Sequence, residues 1–224
     1  MRSILTVTTL ILASLAPQDA IPKDGDFNRQ VMKIVESYPT DGTHAYHWPK
    51  SGTWRGCTRD LNYGGELLFE GDAEKRAYCC GLTFEVFFRA WEAWCRDEKV
   101  PFKIAGRDAA GVRKLQQQWF GSSDDKSCLR TAIVDGGLGF ELAEKDWKKA
   151  KPGDFVQLWR NSGSGHSVVF IDWVEKNGRI QGLEYWSVQK STRGIGRRKE
   201  MFGEGKGDLD RTKFWICRVG TKAK

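Results

Sequence analysis

At 224 residues, 40% hydrophobic and 29% charged, the chain has the make-up of a globular protein, not of a low-complexity polymer or a repeat array. A net charge of +7 suits an anionic partner such as a wall polymer or a membrane surface, although it also serves plain solubility. Ten tryptophans point to aromatic side chains filling a core or lining a groove.

In chain order, Arg2 precedes a short apolar run, and Ser14-Leu15-Ala16 fits a small-x-small cleavage site. Residues 1–20 therefore read as a signal peptide, cut near Ala16 or Ala20. The run is shorter than the ~20 residues of a membrane span, and no second apolar span follows. The mature chain is expected to be secreted, periplasmic or held in the cell envelope, without stable membrane insertion. Export permits disulfides. With one thiol of the Cys79-Cys80 doublet free, at most two bridges form among Cys57, Cys80, Cys95, Cys128 and Cys217. No C-x-x-C pair occurs, which argues against thioredoxin-like chemistry and a zinc knuckle.

Residues 21–40 read as a lead-in and a helix, with Val31, Ile34, Val35 and Tyr38 at helical spacing from Phe27 onward. Residues 41–224 read as one domain. Asp41 to Gly65 is rich in Gly, Pro and Trp, and Leu67-Leu68-Phe69 suggests a strand. Ala77 to Arg96 is a helix, with Glu85, Arg89, Glu92 and Arg96 forming one polar stripe and apolar residues elsewhere, as in a central core helix. Asp108 to Trp119, Cys128 to Val134 and Ala143 to Ala150 also look helical. After Pro152-Gly153-Asp154 the period changes. Phe155 to Arg160, His166 to Val174, Ile180 to Gln189 and Lys213 to Val219 read as strands, with hairpin turns at Asn161–Gly165 and Asn177-Gly178. Helices followed by antiparallel strands give an α+β class.

Cys79 and Cys80 open the core helix, where unpaired N–H groups and the helix dipole favour a thiolate. The same N–H groups can hold an oxyanion, and Gly81 is expected to leave room for a substrate backbone. His166 is the one histidine of three that leads a strand. On alternation it shares a face with Val168, Phe170 and Asp172. A base needs an orienting partner, and Tyr185, Ser187 and Gln189 alternate on the next strand; a hydroxyl or carboxamide there fits the role. Asp172 lies too far along the same strand. His44 and His47 lack a third ligand at suitable spacing, so no metal and no cofactor are expected. The Arg193 to Lys199 cluster carries no nucleic-acid motif and reads as a solvated loop.

Several stretches together resemble the NlpC-type cell-wall cysteine peptidases. Tyr78-Cys79-Cys80-Gly81-Leu82 is similar to the family's D-C-S-G-[LF]. Pro152-Gly153-Asp154-Phe155-Val156 matches its P-G-D-[LF]-V strand start, His166-Ser167-Val168-Val169-Phe170 resembles its histidine strand, and Tyr46-His47-Trp48 resembles its Y-x-W element. The resemblance spans Tyr46 to Ile195. It implies a papain-like α+β domain in which N-terminal helices, one bearing the nucleophile, pack on a C-terminal antiparallel sheet. It selects Cys79 as nucleophile and His166 as base, with Tyr46 near the oxyanion and Ser187 or Gln189 as the third residue. The implied activity is hydrolysis of amide bonds through a thioester, in peptidoglycan stem peptides or another peptide or amide substrate. The chain departs from the pattern at Tyr78, where the family has aspartate, at Cys80, where it has serine, and at the third residue, usually histidine. Two other functions fit the same residues. One is a silent glycan- or peptide-binding module using Trp48, Trp54, Trp159, Trp173 and Trp186; the other is a thiol acyltransferase or lipid-processing enzyme.

Overall fold

Apolar residues at Phe27, Val31 and Val35 recur once per helical turn, and they form the buried stripe of α1 (Asp26–Glu36). This computed structural model describes residues 20–120 and 125–222; the leader expected at residues 1–20 lies outside them, apart from Ala20. A short hairpin follows, β1 (Leu61–Tyr63) and β2 (Glu66–Phe69). The central helix is α2 (Cys79–Asp97), followed by α3 (Ala109–Trp119), which Asp108 caps by accepting from Gly111 N–H. A short α4 (Cys128–Arg130) runs into one π-helical turn at Thr131–Asp135.

The remaining chain builds a six-stranded antiparallel sheet in the order β3-β8-β4-β5-β6-β7. Its strands are β3 (Gly139–Leu142), β4 (Phe155–Arg160), β5 (Gly165–Lys176), β6 (Arg179–Gln189), β7 (Gly194–Met201) and β8 (Leu209–Val219). The β5–β6 turn has positive φ at both Asn177 (51°) and Gly178 (72°), the geometry an Asn-Gly hairpin favours. The class is therefore α+β. The segment expected to be a solvated loop, Arg193 to Lys199, is largely strand β7 instead. Gly194, Ile195 and Gly196 are buried while Arg197 and Lys199 are exposed, and β6 supplies a full ladder of backbone partners.

Both faces of the sheet are covered. On one, α1, α2 and α3 pack against Phe155, Val169, Trp186 and Val188 in the main core. Phe27, Phe87, Trp91 and Trp119 form its aromatic centre, with Phe87 4.9 Å from Trp119 and 5.5 Å from Trp91 between ring centroids. On the other, Val156, Val168, Phe170 and Tyr185 meet Trp147 from a 3₁₀ turn (Glu144–Lys149), which stacks on Trp173 and Phe202.

Two buried carboxylates tie the layers together. Asp154 is fully buried and accepts from Arg218 Nε and Nη2 (2.8 Å each), Asn28 Nδ2 (2.9 Å) and Lys151 N–H (2.8 Å). The P-G-D string is thus a structural joint between α1, β4 and β8. Gly153 has φ +95°, and a Cβ there would sit 2.8 Å from Asn28 O. Glu85, read from the sequence as part of a polar stripe, is also fully buried. It accepts from Tyr38 Oη (2.5 Å), Thr58 Oγ1 (2.8 Å) and Thr58 N–H (2.6 Å). Helical periodicity assigned it to the polar face of α2, but the segment at Thr58 and Arg59 lies over that face and supplies the donors.

Candidate active site

The extended backbone of Tyr78 (φ −123°, ψ 162°) launches α2, and no side chain caps that end. Its first-turn N–H groups have no intrahelical partner. Cys79 is the first helical residue and the only one of the six cysteines that is not buried; no disulfide joins any of them. It shares a cleft of about 140 Å³ with Tyr46, Trp48, Cys80, Gln157, Trp159 and His166. A wider groove of about 630 Å³, beside Phe140 and Arg218, contains neither a thiol nor a histidine.

The two adjacent thiols have opposite tendencies. Cys79 is held well below the ordinary thiol range, first because Cys80 donates a hydrogen bond to it; burial opposes this, and His166 and the Ser167 backbone reinforce it. Cys80 is pushed well up by burial and by its bond to Cys79. Cys80 thus keeps its proton and lends it to the Cys79 sulfur. Tyr46, joined to Ala77 by a backbone bridge, is pushed up to about 12 by burial and the two sulfurs. Its hydroxyl remains a donor at neutral pH.

His166 is the second residue of β5 and is buried. Gln157 on β4 donates to its carbonyl at 3.2 Å, which fixes the strand end that carries the imidazole. Gln189 is buried on β6, with Oε1 3.0 Å from Tyr185 Oη. Ser187, the other candidate for orienting the histidine, donates instead to Ser167 O at 2.9 Å, so its hydroxyl is occupied by the sheet. Gly81 does not open the site to a substrate. A Cβ there would lie 2.2 Å from Arg55 O and 2.5 Å from Gly56 Cα, so it admits the protein's own loop onto α2.

Of the five tryptophans considered for a groove, Trp48 and Trp159 line the cleft. Trp48 is 49% exposed and packs on Tyr78 and Phe120. Trp186 is in the main core and Trp173 packs on the far face of the sheet. His44 is buried edge-on to Tyr38, and His47 lies 5.8 Å from the Trp54 ring. Among the described residues no group of three or more His, Cys, Asp or Glu could hold a metal ion.

Gln157 and Glu200 escaped the sequence reading, and Tyr185 entered it only as one of three alternating residues that could orient the histidine. A polar residue between Phe155 and Trp159 on a buried strand was the available signal for Gln157. Tyr185 and Glu200 become neighbours only through the pairing of β6 with β7. Comparison with protein-family models, curated proteins and solved structures finds no match to this chain. Among the described residues no helix is long and apolar enough to cross a membrane.

Proposed function

We propose that this chain is an exported cysteine hydrolase of NlpC-like, papain-like architecture that cleaves amide bonds, with peptidoglycan stem peptides as the substrate class. The observation that carries the reading is the pairing at the cleft. The one partly exposed thiol sits at an uncapped helix start, with its ionised form favoured by Cys80 and His166. The net charge of +7 supports approach to an anionic wall polymer.

In the proposed reaction His166 takes the Cys79 proton and the thiolate attacks the scissile carbonyl carbon. Electrons pass to the carbonyl oxygen, which the α2 N–H groups and the Tyr46 hydroxyl stabilise. His166 then protonates the leaving amine, the C–N bond breaks and a thioester remains. Water, deprotonated by His166, attacks the thioester, releasing the acid and restoring the thiol. A tryptophan-lined binding module has less support, because Trp173 and Trp186 lie away from the cleft. An acyltransferase would share the thioester and differ only in its acceptor.

The test is mass spectrometry after a thiol-directed activity probe at mildly acidic pH, followed by digestion of purified muropeptides. Labelling of Cys79 alone, lost in His166→Ala, with new amine and carboxylate ends in the digest, supports the proposal. Equal labelling of every accessible thiol overturns it. Transfer to an added nucleophile without hydrolysis moves the assignment to an acyltransferase.

A further inference from the structure

Behind His166 the sheet carries a buried polar chain. Carrying the β5–β6 register, in which Val169 faces Trp186 and Phe170 faces Tyr185, to the start of β5 sets His166 opposite Gln189. Cross-strand Cβ atoms on one face lie about 4.5–5.5 Å apart. The Tyr185 hydroxyl is 3.0 Å from Gln189 Oε1 and 3.1 Å from Glu200 Oε1. One hydroxyl proton cannot serve both acceptors. Meanwhile His166 Nε2 and Gln189 Nε2 are both buried without a hydrogen-bond partner among the described residues. Turning the Gln189 carboxamide over removes both faults, since its two ends differ little except in hydrogen-bonding character.

We infer that Gln189 presents Oε1 to His166 Nε2–H, and that Tyr185 and Glu200 are positioning residues that hold it in that orientation. The direction of the chain is set at its far end. Glu200 is anchored by Arg160, whose Nη2 and Nε lie 2.8 and 3.0 Å from its two oxygens, and by Arg198 at 2.9 Å. An ionised carboxylate only accepts, so Tyr185 O–H donates to it. The Tyr185 oxygen then accepts from Gln189 Nε2, which leaves Oε1 for the imidazole. With its proton pinned on Nε2, the ring turns Nδ1 toward Cys79. The consequence for catalysis rests on the proposed role of His166 as the base for Cys79. The titratable groups around the imidazole are Cys79 and Cys80 from α2, Tyr46, and Tyr185 from β6, with Glu200, Arg160 and Arg198 behind Tyr185.

Two readouts test the inference on the full chain: imidazole ¹⁵N–¹H correlations of ¹⁵N-histidine-labelled protein, and the iodoacetamide alkylation rate of Cys79 as a function of pH. In the wild type, neutral His166 should carry its proton on Nε2 in slow exchange. Tyr185→Phe removes only the hydroxyl; it should mix the tautomers and slow alkylation at mildly acidic pH about tenfold, the equivalent of one net hydrogen bond. In a Gln189→Ala background the same substitution should add nothing. The inference is overturned if Tyr185→Phe leaves tautomer and rate unchanged, or slows alkylation equally in both backgrounds. An unreactive Cys79 in the wild type sinks the hydrolase reading instead, and the tautomer measurement still decides the role of Tyr185.

Discussion

Cys79 and Cys80 occupy the same helix turn and line the same cleft, yet Cys79 is half-buried and Cys80 buried, and their titrations move in opposite directions. The thiolate of Cys79 is favoured chiefly by a hydrogen bond from Cys80. Because the Cys79 titration is lowered, its reactive form persists as pH falls below the ordinary thiol value of about 8.5 and is lost only on passing through the lowered value. Cys80→Ala deletes the largest stabilising contact, so the acid limb of the alkylation profile should move up in pH toward that ordinary value. Cys80→Ser keeps a donor and should move it less. Cys79→Ser should cost at least about a hundredfold in amide hydrolysis. Full activity in Cys79→Ser beside a dead Cys80→Ser would reverse the assignment of nucleophile.

The helix bearing these thiols is positioned by contacts that its own periodicity does not reveal. Apolar spacing marked the span of α2 to within two residues of the observed start, but it showed Glu85 only as a member of a polar stripe. What covers Glu85 is the Thr58–Arg59 segment, distant in the chain. The close seat of Arg55–Gly56 on Gly81 has the same origin. Gly81→Ala should destabilise the fold by about 1–3 kcal/mol in chemical denaturation, the usual cost of forcing atoms into packed space. Arg218→Ala strands the buried Asp154 carboxylate and should cost about 3–5 kcal/mol. It should do so without altering Cys79 alkylation in the molecules that remain folded, because the joint is remote from the cleft.

In the assembled molecule, α1, α2 and α3 on one face and the Trp147 cluster on the other cover the middle of the sheet. The cleft proposed for catalysis lies at the sheet end where β5 begins, with Cys79 and His166 in its lining. Trp48 is exposed and lines that cleft, and under the proposed function it would meet the substrate. Trp48→Ala should raise KM for muropeptides several-fold with little loss of thermal stability; an unchanged KM would remove it from the substrate contacts. If the +7 charge draws the protein to an anionic wall polymer, retention on that polymer should fall steeply as salt rises toward about 1 M, where the screening length shrinks to about 3 Å.

Local patterning was enough for α1, α2, the β4–β5 and β5–β6 hairpins, the α+β class, and a Cys79-Cys80 doublet with His166 as candidates, between whose two thiols only the resemblance chose. Each of these depends on side-chain period, turn residues or a helix start, all properties of neighbours in the chain. The strand β7, the burial of Glu85, the occupation of the Ser187 hydroxyl, the role of Gly81 and the Tyr185–Glu200 chain behind Gln189 were decided only by folding. They arise from hydrogen-bond partners and close contacts supplied by distant segments, and no local period in the sequence encodes which segments those are.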